Sequence, residues 1–83
     1  MSISVTVLYF AQAREGSGLG EETFSVPTGT KVASILEQVS ERHPKLMKMR
    51  RSLQIALNEE VTDGDETLRE GDVVALIPPV AGG

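Results

Sequence analysis

The sequence contains no cysteine. That absence excludes a disulfide framework and a thiolate metal site. A small domain without such staples has to fold on packing alone, which suits a cytoplasmic chain. No apolar run approaches the ~18–20 residues of a membrane span, and the start, Met1-Ser2-Ile3-Ser4, lacks the basic opening of a signal peptide. No membrane is therefore expected as a partner. Histidine occurs once, at His43, and there is no Gly-rich phosphate loop, no metal-ligand cluster and no nucleophile–histidine pair. The paired carboxylates Glu59-Glu60 and Asp63/Asp65 lie in expected turns, with no sign of a pocket that raises a pKa. Asp63-Gly64-Asp65 is too short for a calcium loop. Tyr9 and Phe10 are adjacent, not spaced as a platform for stacking bases. A net charge of −4 argues against nucleic acid as a partner. By elimination, the chain is not expected to be a stand-alone catalyst or to bind a cofactor or metal of its own.

What is present fits one small domain. The chain has 83 residues, 40% of them hydrophobic and 24% charged, near ordinary globular values. The acids are unevenly spread. Glu59, Glu60, Asp63, Asp65, Glu66, Glu70 and Asp72 face a single base, Arg69, in the last third. This is either a solvated face or a means of steering toward a basic partner.

Ile3, Val5, Val7 and Tyr9 alternate with Ser2, Ser4 and Thr6, a strand with one buried face. Leu8 and Phe10 break the alternation, so something should cover the second face near the strand's end. Ala11 to Glu15 reads as a short helical turn and Gly16 to Gly20 as a loop. Glu22, Phe24 and Val26 share a face of a second strand, stopped by Pro27, which reads as a hairpin partner of the first. Thr30 is placed to cap a helix, along which Val32, Ile35, Leu36 and Val39 form one apolar stripe. Pro44 ends that helix, and His43 reads as a helix-terminal cation. Lys45 to Arg51 is a basic connector, read as a solvated turn whose Leu46, Met47 and Met49 plug the edge of the core, or as a docking patch. Leu53, Ile55 and Leu57 mark a third strand, Val61-Thr62 a stub of a fourth, and Leu68 to Asp72 a tight turn with Gly71 at positive φ. Val73 to Ile77 is apolar on both faces, as in a central strand.

A single amphipathic helix covers one face of one sheet. The fold class expected is α+β: a β-grasp (ubiquitin-like) arrangement, a mixed four- to five-stranded sheet with one main helix on one face. Its first and last strands lie adjacent and parallel at the centre. The domain is expected over residues 1–78, with a tail over 79–83. Phe10, Val61 and Ile77 then fall on or beside the uncovered face, as an apolar binding patch or as residues buried under a loop.

The tail reads Pro78-Pro79-Val80-Ala81-Gly82-Gly83. Two prolines stop the strand and send the chain out stiffly. A chance Gly-Gly end is roughly a 1-in-200 event at average usage. The bland reading is a frayed terminus. In the other, Gly83 carries a reactive carboxyl on an arm of up to ~17 Å, at ~3.3–3.6 Å per residue. A carboxylate is a poor electrophile until one oxygen becomes a leaving group, and no ATP site is present to achieve that.

Three stretches together carry a resemblance: Leu8 to Glu15, Leu68 to Asp72, and Pro78 to Gly83. They resemble the MoaD-type small subunits of molybdopterin synthase, in the MoaD/ThiS ubiquitin-like family of sulfur carriers. The resemblance implies a β-grasp carrier whose C-terminal glycine is adenylated by a MoeB-type activating enzyme using ATP and Mg²⁺. A sulfur donor protein then supplies the thiocarboxylate. It implies that the tail enters the MoaE-type large subunit, delivering sulfur to cyclic pyranopterin monophosphate within a heterotetramer. Gly83 would carry the adenylate and then the thiocarboxylate, and Pro79, Val80, Ala81 and Gly82 would thread the partner's channel. Phe10, Val61 and Ile77 match the family's apolar contacts. Arg14 matches a partner contact or pairs with a neighbouring acid. The same chemistry also serves thiamin thiazole formation and tRNA thiolation, and a ubiquitin-like interaction module with an incidental tail is the remaining alternative.

Overall fold

A computed structural model describes residues 1–79 of the chain. Strand β1 (Ser2–Tyr9) leads through a short helix α1 (Ala11–Ser17) into β2 (Glu21–Pro27). The main helix α2 (Val32–Arg42) follows, then one turn of helix α3 (Pro44–Met47) and a 3-10 turn (Arg50–Ser52). Strands β3 (Gln54–Leu57), β4 (Glu60–Thr62) and β5 (Val73–Ile77) complete one sheet of order β2-β1-β5-β3-β4. β1 runs antiparallel to β2 and parallel to β5, and β3 runs antiparallel to both β5 and β4. This is the β-grasp expected from the pattern, with the first and last strands side by side. β5 takes the central place because it offers apolar side chains to both faces, whereas β1 does so only at its end, through Leu8.

The period-2 alternation sorts those side chains. Val5, Val7 and Tyr9 of β1, Phe24 and Val26 of β2, and Val74 and Leu76 of β5 point into one core. Val32, Ile35 and Val39 meet them from α2, all without exposed surface. Leu36 packs at the edge. Gly71 takes φ 84 in the turn before β5, as its position predicts.

Four local expectations need correction. The helix after β1 runs two residues past Glu15, taking in Gly16 and Ser17. Gly16 is needed there, since a Cβ would lie 2.6 Å from Leu46 Cδ2. Leu46, expected at the core's edge, is fully buried on α3, and Met47 is the exposed one. Thr30 does not cap α2: its Oγ1 donates to the Pro27 carbonyl at 2.7 Å. The first donors of α2 go instead to a distant stretch, Val32 N–H to the Glu66 carbonyl and Ala33 N–H to the Gly64 carbonyl, each at 3.0 Å. Backbone carbonyls here replace a side-chain cap. That approach requires Gly64, at φ 95 with its would-be Cβ 3.1 Å from Ala33 Cβ. Finally, His43 is not simply a helix-end cation, because its ring pairs with Glu22. Among the described residues no helix is long and apolar enough to cross a membrane.

Candidate functional site

The helices occupy one face of the sheet. The opposite face is built by the residues out of phase with the core. Leu8 of β1, Val73, Ala75 and Ile77 of β5, Ala56 of β3 and Val61 of β4 turn toward it, and with Phe10 they line a groove of about 590 Å³. The register explains the set: Leu8 lies opposite Ala75, Ala75 opposite Ala56, and Ala56 opposite Val61. Small alanines in the two inner strands leave a trough between larger flanking side chains. Phe10 is 46% exposed and Val61 67% exposed, which is costly to leave in water unless the surface is used. The expected cover for Leu8 and Phe10 is thus absent among the described residues, and their face is an open apolar surface.

Phe10 is held in place by its own backbone. It precedes α1 in extended conformation, and its carbonyl accepts from Ala13 N–H at 2.9 Å and Arg14 N–H at 3.3 Å. Its ring therefore projects from a fixed point. Phe10 and Ile77 also line a second hollow of about 420 Å³, with Ala11, Gln12, Glu15, Pro78 and Pro79. The groove thus continues along β5 to Pro79. Phe10, Val61 and Ile77 are brought together as expected, and Pro79 lies beside them. Arg14 is set apart, with its guanidinium against Gly20, away from the residues lining both hollows. It forms no ion pair among the described residues. Val80, Ala81, Gly82 and Gly83, expected as the threading arm and reactive end, lie outside the described residues.

The far end of the groove is polar. Asn58 Nδ2 donates to Asp72 Oδ1 at 3.0 Å, and Val73 N–H donates to Asn58 Oδ1 at 3.0 Å. Asp72 Oδ2 accepts from Arg69 N–H at 2.8 Å. These bonds tie the β3–β4 turn to the start of β5 and fix the groove's shape.

Sequence reasoning missed the cluster on the helix side. Glu22 Oε1 accepts from Tyr9 Oη at 2.8 Å and faces His43 Nε2 at 2.8 Å, while Oε2 accepts from Arg42 at 2.9 Å. The Arg42 guanidinium also lies 4.3 Å from the centre of the Phe24 ring. Burial pushes the Glu22 carboxyl up, but its bonds with His43, Arg42 and Tyr9 outweigh that and hold it at about 2. Burial, and then the Glu22 carboxylate, push the Tyr9 hydroxyl well above its usual range. The only sequence signal was an acid on the inward face of β2. The cluster fastens α2 to the sheet, and none of its residues lines the two hollows on the opposite face. Among the described residues no group of three or more His, Asp or Glu is arranged to hold a metal ion.

The model of the ThiS family matches residues 7–83. A molybdopterin synthase sulfur carrier subunit from Chlamydomonas reinhardtii is 39% identical over 83 residues, covering 98% of this chain and 100% of its own. The solved structure of a putative molybdopterin converting factor subunit 1 from Pyrococcus furiosus superposes with a TM-score of 0.85 at 34% identity, covering 94% of this chain and 99% of its own. A complex of subunits 1 and 2 of the molybdopterin-converting factor from Helicobacter pylori contains a similar chain, with a TM-score of 0.68 and 27% identity. The match covers 98% of this chain and 100% of that one.

Proposed function

The chain belongs to the ThiS family, alongside the molybdopterin synthase sulfur carrier subunits, and on that premise we propose that it carries sulfur on Gly83 for molybdopterin synthesis. On its own it is not an enzyme. An adenylating partner of the MoeB type transfers AMP from Mg²⁺-bound ATP to the Gly83 carboxylate, releasing pyrophosphate. Persulfide sulfur from a donor protein then displaces AMP, and a second thiol cleaves the resulting acyl disulfide, forming a protein disulfide and leaving a thiocarboxylate. A large synthase subunit of the MoaE type receives the carrier, and the sulfur passes to cyclic pyranopterin monophosphate.

One observation supports this reading best. β5 supplies Val73, Ala75 and Ile77 to the groove and runs directly into Pro78 and Pro79. A protein seated on the groove therefore meets the start of the tail. Beyond Pro79, four residues reach at most ~14 Å, enough to enter a pocket beside the seat. Pro79, Val80, Ala81 and Gly82 thread that pocket, and terminal glycines suit a narrow channel because they carry no side chain. The Helicobacter pylori complex supports a second subunit as partner, since there a similar chain is bound to subunit 2.

Intact mass is the direct test. The chain is incubated with the activating enzyme, ATP and a sulfur donor, beside a copy ending in an amide. Oxygen-to-sulfur exchange at the terminus of the free-acid chain alone is the expected outcome. Exchange in neither overturns the carrier reading. Capture of a thiazole synthase in place of the large subunit reassigns the product.

A further inference from the structure

The groove is apolar along its floor and carries charge only toward its ends. Glu59 lines the end beside Val73, and Glu15 lines the hollow beside Pro79. The remaining polar lining residues are Asn58 and Gln12, and no Lys or Arg lines either hollow among the described residues. Arg14, next to Glu15 in sequence, lies against Gly20 instead, and Arg69 lines a separate hollow with Asn58 and Asp72.

Glu59 also sits where its residue type is disfavoured. The turn from β3 to β4 holds Asn58 at φ 49 and Glu59 at φ 74. Such a two-residue turn favours Asn at its first position and Gly at its second. Asn58 fits the rule and is anchored by Asp72 and Val73. Glu59 breaks it, in a left-handed conformation that crowds a Cβ. Among the described residues the Glu59 carboxylate forms neither an ion pair nor a side-chain hydrogen bond that would offset this. An acid kept in a strained position, at the rim of an apolar groove, points outward to a partner.

Building on the sulfur-carrier reading, we propose that Glu59 is a specificity residue for docking. The large synthase subunit lays an apolar side chain on the Ala56–Val61–Ala75 floor and brings a lysine or arginine to Glu59. Ile77 marks the tail end of the groove and Val73 the Glu59 end. At ~3.3 Å per residue, β5 separates them by roughly 13 Å. The partner's cation therefore sits about that far from where the tail leaves, and the two marks fix the carrier's register on its seat. A surface that places an acid or only apolar atoms over Glu59 leaves a desolvated carboxylate unpaired and is rejected.

The test is calorimetric titration of the purified chain into the purified large subunit, at low and at high salt. Five variants are compared: Glu59→Gln, Glu59→Gly, Glu59→Lys, Glu15→Gln and Val61→Asp. Glu59→Gln is expected to weaken binding about two- to fivefold at low salt. Glu59→Lys weakens it about tenfold or more, and both differences shrink at high salt. Glu59→Gly matches Glu59→Gln in binding while unfolding at the same or a higher temperature, so its loss is not a loss of fold. Glu15→Gln changes affinity less than Glu59→Gln. Equal effects at both acids reduce the pairing to general steering and overturn the proposal, as does a Glu59→Gly chain that binds like wild type. Val61→Asp separates the two readings. If it abolishes binding while the Glu59 variants bind normally, docking stands and the cation pairing fails. If it binds normally, docking on the groove fails as well.

Discussion

At the scale of single residues, Glu22 is the most heavily engaged side chain. It is 17% exposed and bonded to Tyr9, Arg42 and His43. Its carboxyl is lowered from 4.5 to about 2 in the folded chain. A depressed folded-state value stabilises the fold above the unfolded value. That contribution is fully present above about pH 4.5 and is lost as pH falls toward 2. Its size is on the order of 3 kcal/mol. Glu22→Gln is expected to lower stability at neutral pH by about 1–3 kcal/mol. It should also flatten the acid limb of a urea-denaturation series between pH 4.5 and 2. An acid limb identical to wild type would show that other carboxylates set it. None of this reaches the groove, which lies on the other face of the sheet.

At the scale of elements, β5 divides the core from the open groove by its alternation. Val74 and Leu76 are fully buried against the helices, whereas Val73, Ala75 and Ile77 line the groove. Leu76→Ala removes core packing and is expected to cost about 2–5 kcal/mol in chemical denaturation. Phe10→Asp acts on the other face. Phe10 is 46% exposed in the free chain, so the denaturation midpoint should barely move. Affinity for the large subunit should fall by roughly two orders of magnitude, because docking would bury an unpaired charge. Calorimetry showing unchanged affinity would place Phe10 outside the contact. α2 makes a related point. Its N-terminal donors are met by the Gly64 and Glu66 carbonyls, so the helix start depends on a segment about thirty residues downstream.

At the scale of the whole molecule, the helices and the polar cluster of Glu22 hold one side of the sheet, leaving the other side and the end of β5 open for the proposed docking. The proposed chemistry then depends on length. One residue added after Gly83 would displace the terminal carboxyl by about 3.5 Å, far beyond the tolerance of a reacting geometry. Such a chain should fold, bind the large subunit and yet form no dithiolene product from the pterin precursor. Normal product formation would rule out direct delivery from the terminus.

Much of this was legible in the chain itself. Strand faces and the helical stripe of Val32, Ile35 and Val39 follow from periodicity, the Gly71 turn from glycine's freedom at positive φ, and the central place of Val73 to Ile77 from an unbroken apolar run, all of them local signals. The meeting of Phe10, Val61 and Ile77 on one face followed once the strands were ordered. Tertiary structure alone decided the rest, because the partners lie far apart in sequence. Glu22 finds His43 across 21 positions, Leu46 is buried because Gly16 admits it, and Arg14 turns to Gly20 rather than to the groove. A local pattern states which side of an element is apolar. Which distant polar group meets which is settled only when packing brings them within hydrogen-bond reach.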